Sequence, residues 1–380
     1  MRVIVVGGGI GGLCAAIALR ERRIDAQVYE KTPALQEVGG GISLWPNALK
    51  ALRKLGLAEK LDSISLASEN FSLRRWNGAV VSVTSAAEMK RRFSGGVIAL
   101  HRADLLSMLA EKLGREHIHL GHECTSIDQD ADGVAARFAN SVTARGECLV
   151  GADGLHSQTR KLLGHMDPLR YSGYTAWRAV VQFDPSALTP GETWGCGKRF
   201  GMLPIQGGRA YWYAAANAPE NRQDPSQGTC SLLLSYFKGW HEPIEALIRA
   251  AGSTILRHDV YDRIPLRAWG RGRLTLLGDA AHPMTPDLGQ GACQGIEDAL
   301  ELARRLAPDR SVADGLRDYE AARVARTAKV VWASRRFGTI GQIGMQPLCW
   351  LRDTALSLVP KAATHHRFAP IIGYEAHLAD

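Results

Sequence analysis

The alternation of apolar and polar positions divides the chain into recognisable units. Arg2 to Val6 is a short β-branched run of the kind a buried parallel strand needs. Ile10 to Arg22 is rich in Ala, Leu and Ile, with apolar residues at 10, 13 and 17, which predicts a helix. Ala26 to Glu30 returns as a second strand, completing a βαβ unit whose crossover should be right-handed. From Tyr171 the pattern changes. Tyr171–Phe183, Phe200–Ile205, Arg209–Asn217 and Thr229–Ser235 read as strands separated by Gly-, Pro- and Asn-rich turns, and aromatic residues gather among them. An antiparallel sheet inserted into the first unit would give this pattern. After Pro265 a βα unit resumes, with a strand at Arg273–Leu277, a helix at Gly291–Leu306 and a long helical stretch through Asp318–Arg336. Gly338, Gly341, Gly344 and Pro347 read as breakers before a last helical piece at Leu348–Leu358.

Length and composition narrow the classes. A chain of 380 residues holds two to three domain equivalents, and 46% apolar with 22% charged residues is the balance of a soluble globular enzyme. Seven cysteines without C-x-x-C or zinc-like spacing argue for free thiols in a reducing compartment and against a metal site. The first residues enter a strand directly, and no apolar stretch reaches the ~18 residues of a membrane span, so a cytoplasmic protein without integral membrane association is expected. The net charge of +8 comes without a basic run interleaved with aromatics, which speaks against nucleic acid and for small anionic ligands. Monomer and homodimer both stay open.

Three motifs carry the chemistry. Gly7-Gly8-Gly9-Ile10-Gly11-Gly12 satisfies G-x-G-x-x-G between a strand and a helix. Gly7 permits the tight turn, Gly9 admits a pyrophosphate, Gly12 allows close helix–strand packing, and the helix N-terminus attracts phosphate. Glu30 closes the second strand, where a carboxylate can accept from ribose hydroxyls. The second motif is Asp153-Gly154-Leu155-His156-Ser157-Gln158-Thr159-Arg160, and the third runs from Gly278-Asp279-Ala280-Ala281-His282-Pro283 to Gly289-Gln290-Gly291. Both follow apolar strands, at the carboxyl edge where α/β sheets bind ligands.

Together the three motifs resemble those of the group A, single-component FAD-dependent monooxygenases, in the right order over residues 1 to about 340. The resemblance implies the para-hydroxybenzoate hydroxylase fold: a Rossmann-like α/β FAD-binding domain, an inserted antiparallel β-sheet substrate domain and a C-terminal helical segment. The expected division is 1–70, 95–170 and 260–340 for FAD, 71–94 and 171–259 for substrate, and 341–380 for the segment. It further implies that Gly7, Gly9, Gly12, Glu30 and neighbouring Lys31 hold the ADP half of FAD, and that Arg102 lies beside the flavin. Asp279 would bond the ribityl chain. Gly289, Gln290 and Gly291 would present N–H groups to the isoalloxazine, where a helix N-terminus stabilises reduced, anionic flavin. Asp153 and Arg160 would sit where FAD and NAD(P)H phosphates approach. Gly41, in the loop Val38-Gly39-Gly40-Gly41-Ile42, would lie against the flavin face.

No second strand-linked glycine fingerprint occurs, which agrees with a family that binds NADH or NADPH transiently. The implied reaction uses NAD(P)H and dioxygen, through a flavin hydroperoxide, to hydroxylate a small, anionic aromatic or heteroaromatic compound of urate-like or hydroxybenzoate-like type. A buried anion calls for an arginine. Arg178 and Arg199 are the candidates, with Tyr211, Asp287 and His282, the last having a structural reading near FAD as well. Arg199, Tyr211 and Asp287 resemble substrate-site residues of bacterial FAD-dependent urate hydroxylases. The segment Tyr174-Thr175-Ala176-Trp177-Arg178 is more similar to salicylate hydroxylases and zeaxanthin epoxidases. The rival readings are an epoxidase or dehydrogenase of the same fold acting on an isoprenoid or quinone-like substrate, and a non-catalytic FAD-binding regulator. The Trp-x-Trp-x-Ile-Pro signature of flavin halogenases is missing.

Overall fold

The structure, a computed structural model, describes residues 1–35, 40–67, 70–225, 228–306, 310–360 and 368–378. Val38 and Gly39 of the glycine loop therefore lie outside the described residues. A five-stranded parallel sheet runs in the order Leu274–Leu276, Cys148–Gly151, Arg2–Val6, Asp25–Glu30, Ile118–Leu120. The first strand is central and, apart from its Arg2 end, buried, which is why it reads as an unbroken apolar run. The helix Ile10–Glu21 packs on the sheet and against the helix Gly291–Arg305, and their apolar side chains form the largest core. A small antiparallel sheet, Cys124–Gln129, Val134–Phe138 and Thr143–Gly146, supplies apolar cover to Ile4, Val6 and Leu149.

The second large sheet has seven strands, in the order Leu256–Asp262, Arg170–Gln182, Arg209–Asn217, Lys198–Ile205, Gly191–Trp194, Asn70–Arg75, Val80–Ser85. All its neighbours are antiparallel except Gly191–Trp194 and Asn70–Arg75, which pair in parallel. Alternation gives it two distinct faces. One buries Trp177, Phe200, Met202 and Trp212 against Leu233, Phe237, Leu247 and Ile248. The register sets Arg178 opposite Tyr213, Val180 opposite Tyr211, and Arg199 opposite Ala215 on the other face. A third sheet, Gly41–Leu44, Ile98–His101 and Leu66–Ala67, lies against this second face, where Ala99, Leu203 and Ile205 form a small core with Phe71, Val180 and Tyr211.

Two expectations from the sequence are corrected. Thr229–Tyr236 is a helix, not a strand. Its three consecutive leucines do not alternate, and the i, i+4 pair Leu233 and Phe237 buries one helical stripe on the sheet. Gly338 does not break the chain; it lies inside the helix Val312–Gly341, which ends at Gly341 as expected. Both glycines are buried, and the absent side chains let other groups approach. Among the described residues no helix is long and apolar enough to cross a membrane.

Candidate active site

The glycine turn is built for close packing on one side and openness on the other. A Cβ on Gly7 would lie 2.6 Å from the Ala152 carbonyl carbon, and one on Gly12 would be 3.1 Å from that of Gly7. A Cβ on Gly9 would meet nothing within 4 Å, so the turn presents bare backbone to open space. Glu30 caps this end. Its carboxylate accepts from the Gly8 N–H at 2.6 Å and from the Thr32 N–H at 2.9 Å, while Lys31 is exposed.

At the carboxyl end of the strand Leu274–Leu276, Asp279 is walled by protein yet open to solvent, the condition of a side chain facing into a cleft. Burial pushes its carboxyl up against the pull of His282 and Arg102. The N-terminus of Gly291–Arg305 begins beside it: a Cβ on Gly291 would stand 3.7 Å from Asp279 Oδ1. Gln290 is buried, and its Oε1 accepts from Asn47 at 3.0 Å and Gln294 at 3.2 Å, so the turn before the helix is held from behind. His282 is 1% exposed, with Nε2 2.6 Å from Asp298. Asp298 also accepts from the Gly278 N–H at 3.0 Å, and Arg323 donates to it at 2.6 Å and to Glu297 at 2.6 Å. Burial raises the Asp298 carboxyl, but His282, Arg323 and the Gly278 N–H outweigh burial and hold it at about 2. His282 thus anchors the loop rather than facing the cleft.

The other wall is the sheet. Arg199 Nη2 meets Asp287 Oδ1 at 2.5 Å, Arg199 Nη1 lies 3.4 Å from Glu192 Oε1, and all three side chains are buried. Tyr174 donates to Asp287 Oδ2 at 2.9 Å. Two glycines of the long helix close this cluster: a Cβ on Gly338 would be 2.7 Å from Asp287 Cγ, and one on Gly341 would be 2.9 Å from Arg199 Cδ. Burial raises Glu192, with Arg199 opposing it, and raises the hydroxyls of Tyr174 and Tyr213 well above the usual phenol range. Tyr211 packs against the strand Gly41–Leu44 so closely that a Cβ on Gly41 would be 2.6 Å from its own Cβ. Its phenol is raised by burial, against the pull of Arg178 and Arg102. Gly40 in turn faces Arg178, and its carbonyl accepts from the Arg102 N–H at 2.9 Å.

Residues 1–334 match the FAD binding domain family. The chain belongs to the group A FAD-dependent monooxygenases. Among relatives of this monooxygenase, the aurachin C monooxygenase/isomerase of Stigmatella aurantiaca is 38% identical, covering 94% of each chain. The FAD-dependent urate hydroxylase of Klebsiella pneumoniae subsp. pneumoniae is 36% identical over 88% of this chain and 89% of its own. Klebsiella pneumoniae HpxO, solved with FAD and uric acid, superposes with a TM-score of 0.92 at 32% identity, covering 98% of this chain and 96% of that one.

The described residues of the monooxygenase fit its cofactor. Bare backbone at Gly9, a carboxylate at Glu30, the cleft-facing Asp279 and the helix start at Gly291 lie along the carboxyl edge of one sheet, the sequence of contacts a dinucleotide requires. Two residues given phosphate contacts by the resemblance are engaged elsewhere. Arg160 is 1% exposed, donating to both Asp167 oxygens at 2.8 Å and to the carbonyls of Ala280 and Ala281. Asp153 caps the helix Gln158–Leu162, accepting from Ser157 Oγ at 2.5 Å and the Thr159 N–H at 2.9 Å. Both brace the loops that border the cleft, and neither presents a free head group to a phosphate. Glu192, Tyr174, Tyr213, Glu297, Asp298 and Arg323 escaped the sequence reading. Period-two alternation from Tyr211 and Arg178 would have flagged both tyrosines; nothing in Gly191-Glu192-Thr193-Trp194 marks the glutamate.

Proposed function

We propose that this FAD-dependent monooxygenase uses NADH or NADPH and dioxygen to hydroxylate a small, anionic aromatic or heteroaromatic compound. The observation that carries the reading is the facing pair of walls. A flavin-type cradle ends at Asp279 and Gly291, and the sheet opposite brings Arg178, Tyr211, Tyr213 and the Arg199–Asp287 pair to one face. Relatives named monooxygenase and hydroxylase support the same chemistry.

Bound FAD supplies oxygen activation once reduced. The chain supplies position, dryness and proton control. Tyr211, kept a neutral phenol by burial, is suited to hydrogen-bond the ring substituent of a substrate lying between it and the flavin. Asp287, held by Arg199 and Tyr174, keeps the floor of the sheet rigid. The N–H groups of Gly289–Gly291 suit the negative charge of reduced flavin. The test is a screen of aromatic acids, urate and phenols for stimulated NAD(P)H oxidation by the FAD-loaded enzyme, with 18O2 incorporation followed by mass spectrometry. Stimulation with one labelled oxygen in the product is expected. Oxidation that no aromatic stimulates, or a product without label, overturns the reading.

A further inference from the structure

The two arginines on the cleft-facing side of the sheet stand in opposite electrostatic conditions. Arg199 is charge-compensated, although its Nε, like that of Arg178, is buried without a hydrogen-bond partner: Asp287 and Glu192 flank its guanidinium, the Tyr174 ring lies 5.6 Å away, and its side chain is 4% exposed. Withdrawing it toward a ligand would leave two buried carboxylates facing each other, a costly arrangement. Arg178 has the reverse character. It is half-buried, its Nε is shielded from solvent and has no hydrogen-bond partner, and no carboxylate pairs with it among the described residues. Among the described residues, the groups that face it bring no negative charge. Gly40 contributes only backbone, with its Cβ position 3.4 Å from Arg178 Nε. Tyr211 stays a neutral phenol, and burial together with Arg178 itself pulls His258 down to about 4, so that imidazole is neutral at working pH. A guanidinium lodged among neutral groups in a partly dry site carries uncompensated charge. A planar, bidentate oxyanion is the partner its donor geometry suits.

We infer that Arg178, not Arg199, is the specificity-determining cation of the site, and that the substrate carries a carboxylate which Arg178 receives. This assignment rests on the aromatic-hydroxylase reading for its biological meaning, while the binding it describes stands without turnover. Strand register supports it. Arg178 lies directly opposite Tyr213 and diagonal to Tyr211, so a carboxylate on Arg178 leaves the ring of a small aromatic within reach of the tyrosine that faces Gly41. Arg199 then has a different duty, holding Asp287 and Glu192 in place beneath the site.

The test compares matched acids and amides. Benzoate, salicylate, 4-hydroxybenzoate and indole-3-carboxylate, each with its carboxamide, are titrated calorimetrically into the FAD-loaded wild type and the Arg178→Gln and Arg178→Lys variants. Wild type should hold at least one acid roughly 10–100-fold more tightly than its amide. Arg178→Gln should abolish that preference, and Arg178→Lys should retain part of it, with flavin content and melting temperature unchanged. No acid preferred over its amide by wild type, or a preference that survives in Arg178→Gln, overturns the assignment. If the Arg178-dependent preference holds but no acid stimulates NAD(P)H oxidation that yields a hydroxylated product, the hydroxylase reading falls and the anion site stands.

Discussion

Gly338→Ala sets two physical effects against each other. Inside a helix, Ala is favoured over Gly by about 1 kcal/mol, so propensity alone predicts a more stable protein. The packing predicts the opposite. The new methyl would lie 2.7 Å from Asp287 Cγ and 3.0 Å from Oδ1, with Oδ2 closer still. Ordinary contact requires about 3.5–4.0 Å, so helix or carboxylate must retreat by about 1 Å. The helix is held by Ser334, which donates to the Thr285 carbonyl at 2.7 Å, and by Arg335, which donates to Asp262 at 2.8 Å. The carboxylate is held by Tyr174 at 2.9 Å and Arg199 at 2.5 Å. Overpacking costs about 1–3 kcal/mol, and a retreat of Asp287 loosens a buried ion pair whose rupture costs about 3–5 kcal/mol. The expected net is a loss of about 1–3 kcal/mol together with a fall in kcat. Thermal melting followed by flavin fluorescence reads the first, and substrate-stimulated NAD(P)H oxidation the second. A double-mutant cycle isolates the cause: in an Asp287→Ala background the same Gly338→Ala change should become neutral or stabilising. A Gly338→Ala enzyme that melts higher than wild type with unchanged kcat would refute the reasoning.

Arg323→Met should cost about 3–5 kcal/mol, because Glu297 and Asp298 would lose the guanidinium between them in a fully buried site; a melt that shifts by less than a degree would contradict this. The depressed Asp298 carboxyl contributes stability that is present above the ordinary aspartate range and is lost as pH falls toward about 2, on the order of 2 kcal/mol, so the acid limb of wild-type stability should be steeper than that of Asp298→Asn. Gly41→Ala should displace the Tyr211 ring and raise KM at least ~10-fold with FAD still bound; unchanged KM would remove Tyr211 from the substrate wall.

The nucleotide half of the fold was legible because its signals are local. Gly7 and Gly12 sit where a side chain would strike neighbouring backbone, and Gly9 and Glu30 complete a spacing that is readable within thirty residues. The cluster around Arg199 was only partly legible. Arg199 and Asp287 are far apart in the chain, and a sequence gives no hint that they form a buried ion pair. Gly338 and Gly341 illustrate the same blindness. Read alone they are breakers; in the fold Gly338 lies inside the helix and Gly341 ends it, and Asp287 and Arg199 fill the space their missing side chains leave. Thr229–Tyr236 was misread because a short apolar run carries no period, and only the sheet behind it selects the helical stripe.

The parallel pairing of Asn70–Arg75 with Gly191–Trp194 has a consequence for how the protein is made. The hairpin Asn70–Ser85 leaves the ribosome about 110 residues before the strand it needs, a wait on the order of 5–22 s at ~5–20 residues per second. Until then both its edges are open, and an unpaired edge invites intermolecular pairing. Arg74 and Arg75 on one strand, and the alternating Ser82 and Thr84 on the other, make that edge a poor template. The seven-stranded sheet therefore closes only after half the chain exists, through a pairing between segments made at different times.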